Sequence, residues 1–195
     1  YRLRKGKYDP LDVARSYAKK SGRTICVSFK SDPYPPVEEE RGLTRSVLSV
    51  LSENRDNRIL VLTKNPMLAL RDLDVMKRHG DMWLGTTVVS LYPTEWEANA
   101  PRPSMRLLAL LLAHRRGVRT WLSIEPIIPD VTDVFKIIDG TYYFIDWYVF
   151  GSFNYAKRFG FTEKDLIDYY NRFFPRAFGH LASLGKPFFV KRELR

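Results

Sequence analysis

Arg58-Ile59-Leu60-Val61-Leu62-Thr63-Lys64-Asn65-Pro66 opens a stretch that continues through Leu68, Leu73 and Met76 and closes on Gly80-Asp81-Met82-Trp83-Leu84-Gly85-Thr86-Thr87-Val88-Val89. Its outer segments, residues 59–63 and 83–89, are short β-branched and aromatic runs bounded by Gly, Pro, Asp and Asn, as strands are. Both are nearly continuous in hydrophobicity, as expected of strands covered on both faces. Between them apolar residues recur at helical spacing. Strand, helix and strand in that succession form a βαβ unit, which makes the two strands parallel and their crossover right-handed.

The same rhythm extends in both directions. Residues 24–29, 120–124, 144–150 and 187–190 read as further strands, giving about six in all. Leu43, Val47, Leu48, Val50 and Leu51 form a helical stripe, and residues 104–114 read as a Leu-rich helix behind a Pro103-Ser104 start. A shorter helix starts near Thr132 or Asp133. Thr162-Glu163-Lys164-Asp165 sets a capping hydroxyl and acidic residues before a helix over 166–174. A helix over 11–20 precedes the first strand, and the chain starts without Met, so the expectation is a strand–helix array cut before its first strand. No linker, low-complexity tract or close internal repeat interrupts the pattern. Alternation alone leaves a closed barrel and an open doubly wound sheet both open.

At 195 residues and 45% hydrophobic, the chain supports one sizeable core and a single domain over 1–195. Its most apolar stretch, residues 107–113, ends at His114-Arg115-Arg116 and is far shorter than the roughly 20 residues that cross a bilayer, so no membrane partner is expected. The single cysteine, Cys26, excludes an internal disulfide and fits a reducing cytoplasm. It also excludes a cluster held by several thiolates of this chain. A net charge of +10 and a pI near 9.7 suit a polyanionic partner such as nucleic acid, or serve solubility alone. The cations are dispersed along the sequence, with no basic arm. His79, His114 and His180 lack the close spacing of a zinc site and read as helix-end or late-helix residues.

In parallel β/α folds, functional side chains collect where strands end, because all the strand-to-helix loops share the carboxyl edge of the sheet. The strand ends here read Asp32-Pro33-Tyr34-Pro35-Pro36-Val37-Glu38, then Thr63-Lys64-Asn65-Pro66 with Leu70-Arg71-Asp72-Leu73-Asp74, then Thr86, Thr87 and Ser90. Glu95-Trp96-Glu97-Ala98-Asn99-Ala100-Pro101-Arg102-Pro103 with Arg106 follows. The last are Ser123-Ile124-Glu125-Pro126-Ile127-Ile128, Gly151-Ser152-Phe153-Asn154-Tyr155 and Val190-Lys191-Arg192-Glu193-Leu194.

Taken in order, these segments resemble the spore photoproduct lyase-like branch of the radical S-adenosylmethionine enzymes, often labelled DNA repair photolyase-like. The resemblance runs from residue 32 to 194 and rests on the six motifs together, each of which is weak alone. It implies an α/β fold, a partial parallel (β/α) barrel of the radical S-adenosylmethionine type, with the first strand missing. It also implies a 4Fe–4S cluster on a C-x3-C-x2-C loop, a loop this sequence lacks; Cys26 alone cannot supply three ligands. The expectation is therefore a piece of a longer enzyme whose upstream part carries the loop, with a degenerate relative that has lost the chemistry as the other reading; either is inactive as it stands. In the intact parent the cluster would cleave S-adenosylmethionine reductively, giving a 5′-deoxyadenosyl radical that abstracts hydrogen from a nucleic-acid-like substrate. The alternative is a cluster-free barrel that binds nucleic acid or a nucleotide without catalysis. A phosphate-binding barrel of another kind is disfavoured, since no Gly-rich phosphate loop is present.

Under that resemblance, charge and reach suit Lys64 to the methionine carboxylate, with a solvated or ion-paired lysine as the other reading. Thr86, Thr87 and Ser90 offer hydroxyls for the ribose, or simply satisfy strand ends. Ile127 and Ile128 suit an apolar edge against adenine, or an ordinary buried turn. Asp32 and Glu38 flank a rigid Pro turn near the cofactor's amino group, where turn chemistry alone also accounts for Asp32. Glu125, a carboxylate amid apolar residues, needs a partner, with Lys191, Arg71 and Arg106 as candidates. Tyr34, Tyr155, Asn154, Arg71, Arg106 and Lys191 are the substrate-side candidates; a Tyr beside a radical can relay hydrogen, which makes Tyr34 and Tyr155 candidates for that role, with packing as the other reading for them as for most of the 11 Tyr. The four Trp read as packing residues. No residue of the chain is expected to bind metal.

Overall fold

The apolar runs assemble into one parallel sheet, β1 (Thr24–Val27), β2 (Arg58–Leu62), β3 (Met82–Thr87), β4 (Arg119–Ile124), β5 (Trp147–Phe150) and β6 (Phe188–Val190). A computed structural model describes residues 9–27, 30–154 and 156–191. The strands lie in chain order, each paired in parallel with the next, and the sheet curls into a half-barrel. The intervening helices are α1 (Pro10–Ala18), α2 (Glu38–Arg41), α3 (Leu43–Leu51), α4 (Pro66–Ala69), α5 (Leu73–His79), α6 (Pro103–Arg115), α7 (Val134–Thr141) and α8 (Glu163–Ser183). Short 3-10 turns lie at Leu70–Asp72, Glu95–Glu97 and Ala156–Phe159.

A single monotonic strand order decides between the two architectures that the alternation left open. A doubly wound sheet reverses its order at a switch point and carries helices on both faces. Here Ile59, Val61, Leu84, Leu122, Ile124, Tyr148 and Phe150 share one core with Leu48 and Leu51 of α3, Met76 of α5, Leu110 of α6, Ile137 of α7 and Phe174 of α8. The helices thus cover the convex face. The concave face holds a second cluster, Leu60, Leu62, Trp83, Trp121, Trp147 and Val149. Strand register puts these residues on one side, with Leu60 beside Trp83, Gly85 beside Trp121, and Trp121 beside Trp147.

Gly85 is required where it stands. A Cβ at that position would overlap the Trp121 indole, which leans from β4 across β3. Trp121 and Trp147 then stack obliquely at 5.5 Å, and Trp83 meets Trp147 edge-on at 6.3 Å. The indoles stand side by side on the concave face, and the strand ends beyond them form a separate mouth.

The ends of the elements follow from local chemistry. Asp9 caps α1 ahead of Pro10, and Thr162 with Asp165 forms a reciprocal capping box at the start of α8. Two expectations need correction. Phe144 and Ile145 belong to the turn after α7, where their N–H groups bond back to the Thr141 carbonyl, and the strand begins only at Trp147. The last helix does not stop at Phe174. It runs through Pro175 to Ser183, because Phe174 and Phe178 stack face to face and Phe178 stacks in turn on Phe188 of β6. No helix among the described residues is long and apolar enough to cross a membrane.

Candidate functional site

Extending each concave-face row past the strand end brings Lys64, Thr87, Ser123, Glu125 and Lys191 to the mouth, above the indole layer. The motifs that carry them lie far apart in sequence, yet they meet as partners.

At the β1–β2 corner the Asp32 carboxylate is fully engaged. It accepts from the Tyr34 N–H at 2.9 Å, the Thr63 hydroxyl at 2.6 Å and the Lys64 N–H at 2.8 Å. Part of this is the turn chemistry that Asp brings to any such loop. The remainder ties the first motif to the second, and so fixes the backbone from which Lys64 projects. A shallow cavity of about 280 Å³ lies here, lined by Lys30, Asp32, Thr63, Lys64 and Thr87.

The Lys64 ammonium is not adrift in solvent. It lies 3.1 Å from Glu97 of the 3-10 turn after β3. Glu97 is buried, and behind it stands Arg106, wholly buried on α6, with a two-pronged contact to the carboxylate at 2.9 and 2.5 Å. The same guanidinium donates to the Thr87 carbonyl at the end of β3. Burial alone would push the Glu97 carboxyl up. The Arg106 hydrogen bonds and charge, reinforced by Lys64, outweigh that and hold it below the usual carboxylate range. Glu97 is therefore a charged hub joining β2, β3 and α6.

On the far side, the ammonium of Lys191, just past β6, reaches the carboxylate of Glu125, just past β4, at 2.5 and 2.6 Å, while the Ser123 hydroxyl lies 3.3 Å from it. Lys191 is thus the partner among the three cations considered for Glu125. To get there, Glu125 crosses the end of β5 over Gly151, where a Cβ would overlap its carboxylate. The Glu125–Pro126 peptide is cis. Both groups stay partly exposed and face the mouth.

Several proposed contacts are withdrawn into the wall. Tyr34 is fully buried, and its hydroxyl donates to Asp72 at 2.9 Å; burial first, and then the Asp72 charge, push its pKa far up. Glu38 is buried beneath Thr44, whose N–H it accepts at 2.7 Å as a cap for α3, and it also pairs with Arg71 at 2.9 Å. Arg71 is spent there and on the Glu39 carbonyl. Arg106 has no exposed surface to offer a substrate. Thr86 is fully buried on the helix side of β3, bonded to the Thr63 carbonyl at 2.7 Å. Ile127 and Ile128 are buried too, one in the main core and one against Val89 and Phe153, so neither presents an edge to a ligand.

The mouth keeps Lys64, Thr87, Glu125 and Lys191, with Ser90 beside it accepting from the Tyr92 N–H at 3.1 Å. Asn154 is exposed beyond β5 and touches Ser152. Tyr155, Arg192, Glu193 and Leu194 lie outside the described residues. Trp96 packs edge-on against Phe153 at 5.3 Å and Phe159 at 4.5 Å, closing the rim on that side.

Chemically, the mouth offers two ammonium groups, the Glu125 carboxylate and two hydroxyls above an aromatic floor. That set can bind and orient a ligand bearing both charges. It does not fit an iron–sulfur cluster. Cys26 is the sole thiol, it lies at the open edge of β1, and burial of part of its side chain pushes its pKa up, away from the thiolate that a metal needs. Among the described residues, no three His, Cys, Asp or Glu side chains gather as a metal site.

No family model and no solved structure matches the chain. It is similar to an uncharacterized protein of Methanocaldococcus jannaschii, 32% identical over 133 residues, a match that takes in 67% of this chain and 50% of that protein. The aligned part thus spans about half the length of that relative.

Proposed function

We propose that this chain forms the scaffold and cofactor-facing rim of a radical S-adenosylmethionine protein of the spore photoproduct lyase-like kind, acting on a nucleic-acid-like substrate. One observation carries this: the motifs behind the resemblance are one another's partners. Asp32 of the first holds Thr63 and Lys64 of the second, Lys64 meets Glu97 of the third, and Glu125 of the fourth meets Lys191 of the last.

In this proposal Lys64 and Lys191 hold the anionic groups of the ligands, Thr87 and Ser90 supply hydroxyls, and Glu125 orients Lys191. The indole layer keeps water from the underside. The reaction needs three thiolates that these residues do not supply, so the chain does not start a radical by itself.

Anaerobic reconstitution of the full gene product with iron and sulfide tests the proposal, read by its visible spectrum and by release of 5′-deoxyadenosine. Cluster absorption with release of 5′-deoxyadenosine is expected if that product carries the missing thiolates. A protein that takes up no cluster and cleaves no S-adenosylmethionine sinks the enzyme. The sole cysteine favours a second reading, a cluster-free barrel that holds a nucleotide at the same rim, recognised by nucleotide binding without either signal.

A further inference from the structure

Basic residues scattered along the sequence gather at the amino end of the sheet, opposite the mouth. Three turns lead into β2, β3 and β4, at residues 53–58, 77–81 and 115–119. Together they hold seven Lys and Arg against three acidic residues, a net +4 of the chain's +10 on a small share of its length. The turns form one surface. His79 bonds the Asn54 carbonyl at 3.1 Å, joining the first to the second. Asp81 accepts from Arg58 at 3.1 Å and from Arg119 at 2.9 Å, joining the second to both neighbours. A Cβ added at Gly117 would lie 3.8 Å from Cε of Lys77, so the third turn passes beside the end of that side chain.

Asp81 is one carboxylate shared by two guanidinium groups, so it orders that pair without neutralising it. Both guanidinium groups also stack on Trp83, at 5.5 and 5.3 Å from its ring centre, and Trp83 in turn donates to Asp81 at 2.6 Å. Arg55, Arg58, Lys77, Arg78, Arg115, Arg116 and Arg119 are all exposed.

We propose that this face is a docking surface for the phosphodiester backbone of a nucleic acid. Six of its seven cations are Arg, the side chain whose planar fork suits phosphate oxygens. Two of them are pre-ordered on an indole, which lowers the entropy lost on binding. A lipid surface fits less well, because none of the exposed large apolar side chains lies in these turns to anchor in a bilayer. A strand of about six residues separates the face from the mouth by roughly 20 Å. A duplex docked here is therefore held apart from whatever the mouth binds, and the surface stands or falls independently of the rim's chemistry.

The test is fluorescence anisotropy of a labelled mixed-sequence DNA duplex titrated with the full chain at several salt concentrations. Arg55→Ala, Arg115→Ala and Arg116→Ala, combined, should weaken binding roughly tenfold or more and make the salt dependence shallower by about one unit per residue removed. Lys136→Ala, Lys164→Ala and Arg172→Ala, combined, remove the same charge from α7 and α8 and should leave binding near that of the parent. Thermal unfolding checks that both variants fold. Equal losses in the two variants, or no loss in the first, overturn the surface. Tighter binding to phosphatidylserine vesicles or polyglutamate than to the duplex overturns the choice of partner.

Discussion

Glu97 shows how much one side chain can settle at this rim. It neutralises the wholly buried Arg106 and anchors Lys64, so its removal strands a cation in the core. Glu97→Gln should cost roughly 3–5 kcal/mol by urea unfolding near neutral pH. Because its carboxyl is held below the usual range, Glu97 stabilises fully above its unfolded pKa, and that contribution fades as pH falls through the folded value. The gap between parent and variant should therefore narrow on acidification, and a gap constant with pH would sink this account. Sequence alone passed over Glu97. It lies in the segment between β3 and α6, and its link to Arg106 depends on a turn through Pro101 and Pro103 that spacing does not disclose. Glu125, by contrast, was legible, because a carboxylate amid apolar residues demands a counter-charge, and Lys191 was among the candidates.

Elements were readable wherever one force dominated. Continuous β-branched runs bounded by breakers gave the strands, and the hydroxyl-plus-acid signature gave the start of α8. The reading failed where packing overrode the local signal. Phe144 and Ile145 are apolar because they are buried at the base of α7, not because they pair in the sheet. Pro175 breaks a hydrogen bond but not α8, since the Phe174, Phe178 and Phe188 stack holds both sides of it. Thr86, Ile127 and Ile128 were assigned to the rim by position, and strand alternation or loop packing turned them inward. Gly85 offers a clean test of the concave packing. Gly85→Ala should destabilise by about 1–3 kcal/mol in denaturant unfolding, and Trp121→Phe in the same chain should recover part of the loss. Without that recovery, the glycine is needed for some reason other than the indole.

At the scale of the molecule, the half-barrel was legible in class but not in detail. Alternation announced parallel strands, while the choice of a curled sheet over a flat one followed from strand order, which no window of sequence contains. Clustering of cations is likewise invisible until the chain folds, because residues 53–58, 77–81 and 115–119 are brought together only by the sheet. The indole layer has a thermodynamic consequence. Trp121, lodged in the space left by Gly85, stands with Trp83 and Trp147 as a septum between the strand starts that carry Arg58 and Arg119 and the strand ends beside Lys64 and Glu125. Free energies on the two sides should then add. A variant carrying Lys64→Ala together with Arg115→Ala should show the sum of the single effects on stability within about 0.5 kcal/mol, and a larger discrepancy would mean that the septum transmits strain. If they do add, the protein is two devices set back to back, each free to change its ligand without retuning the other.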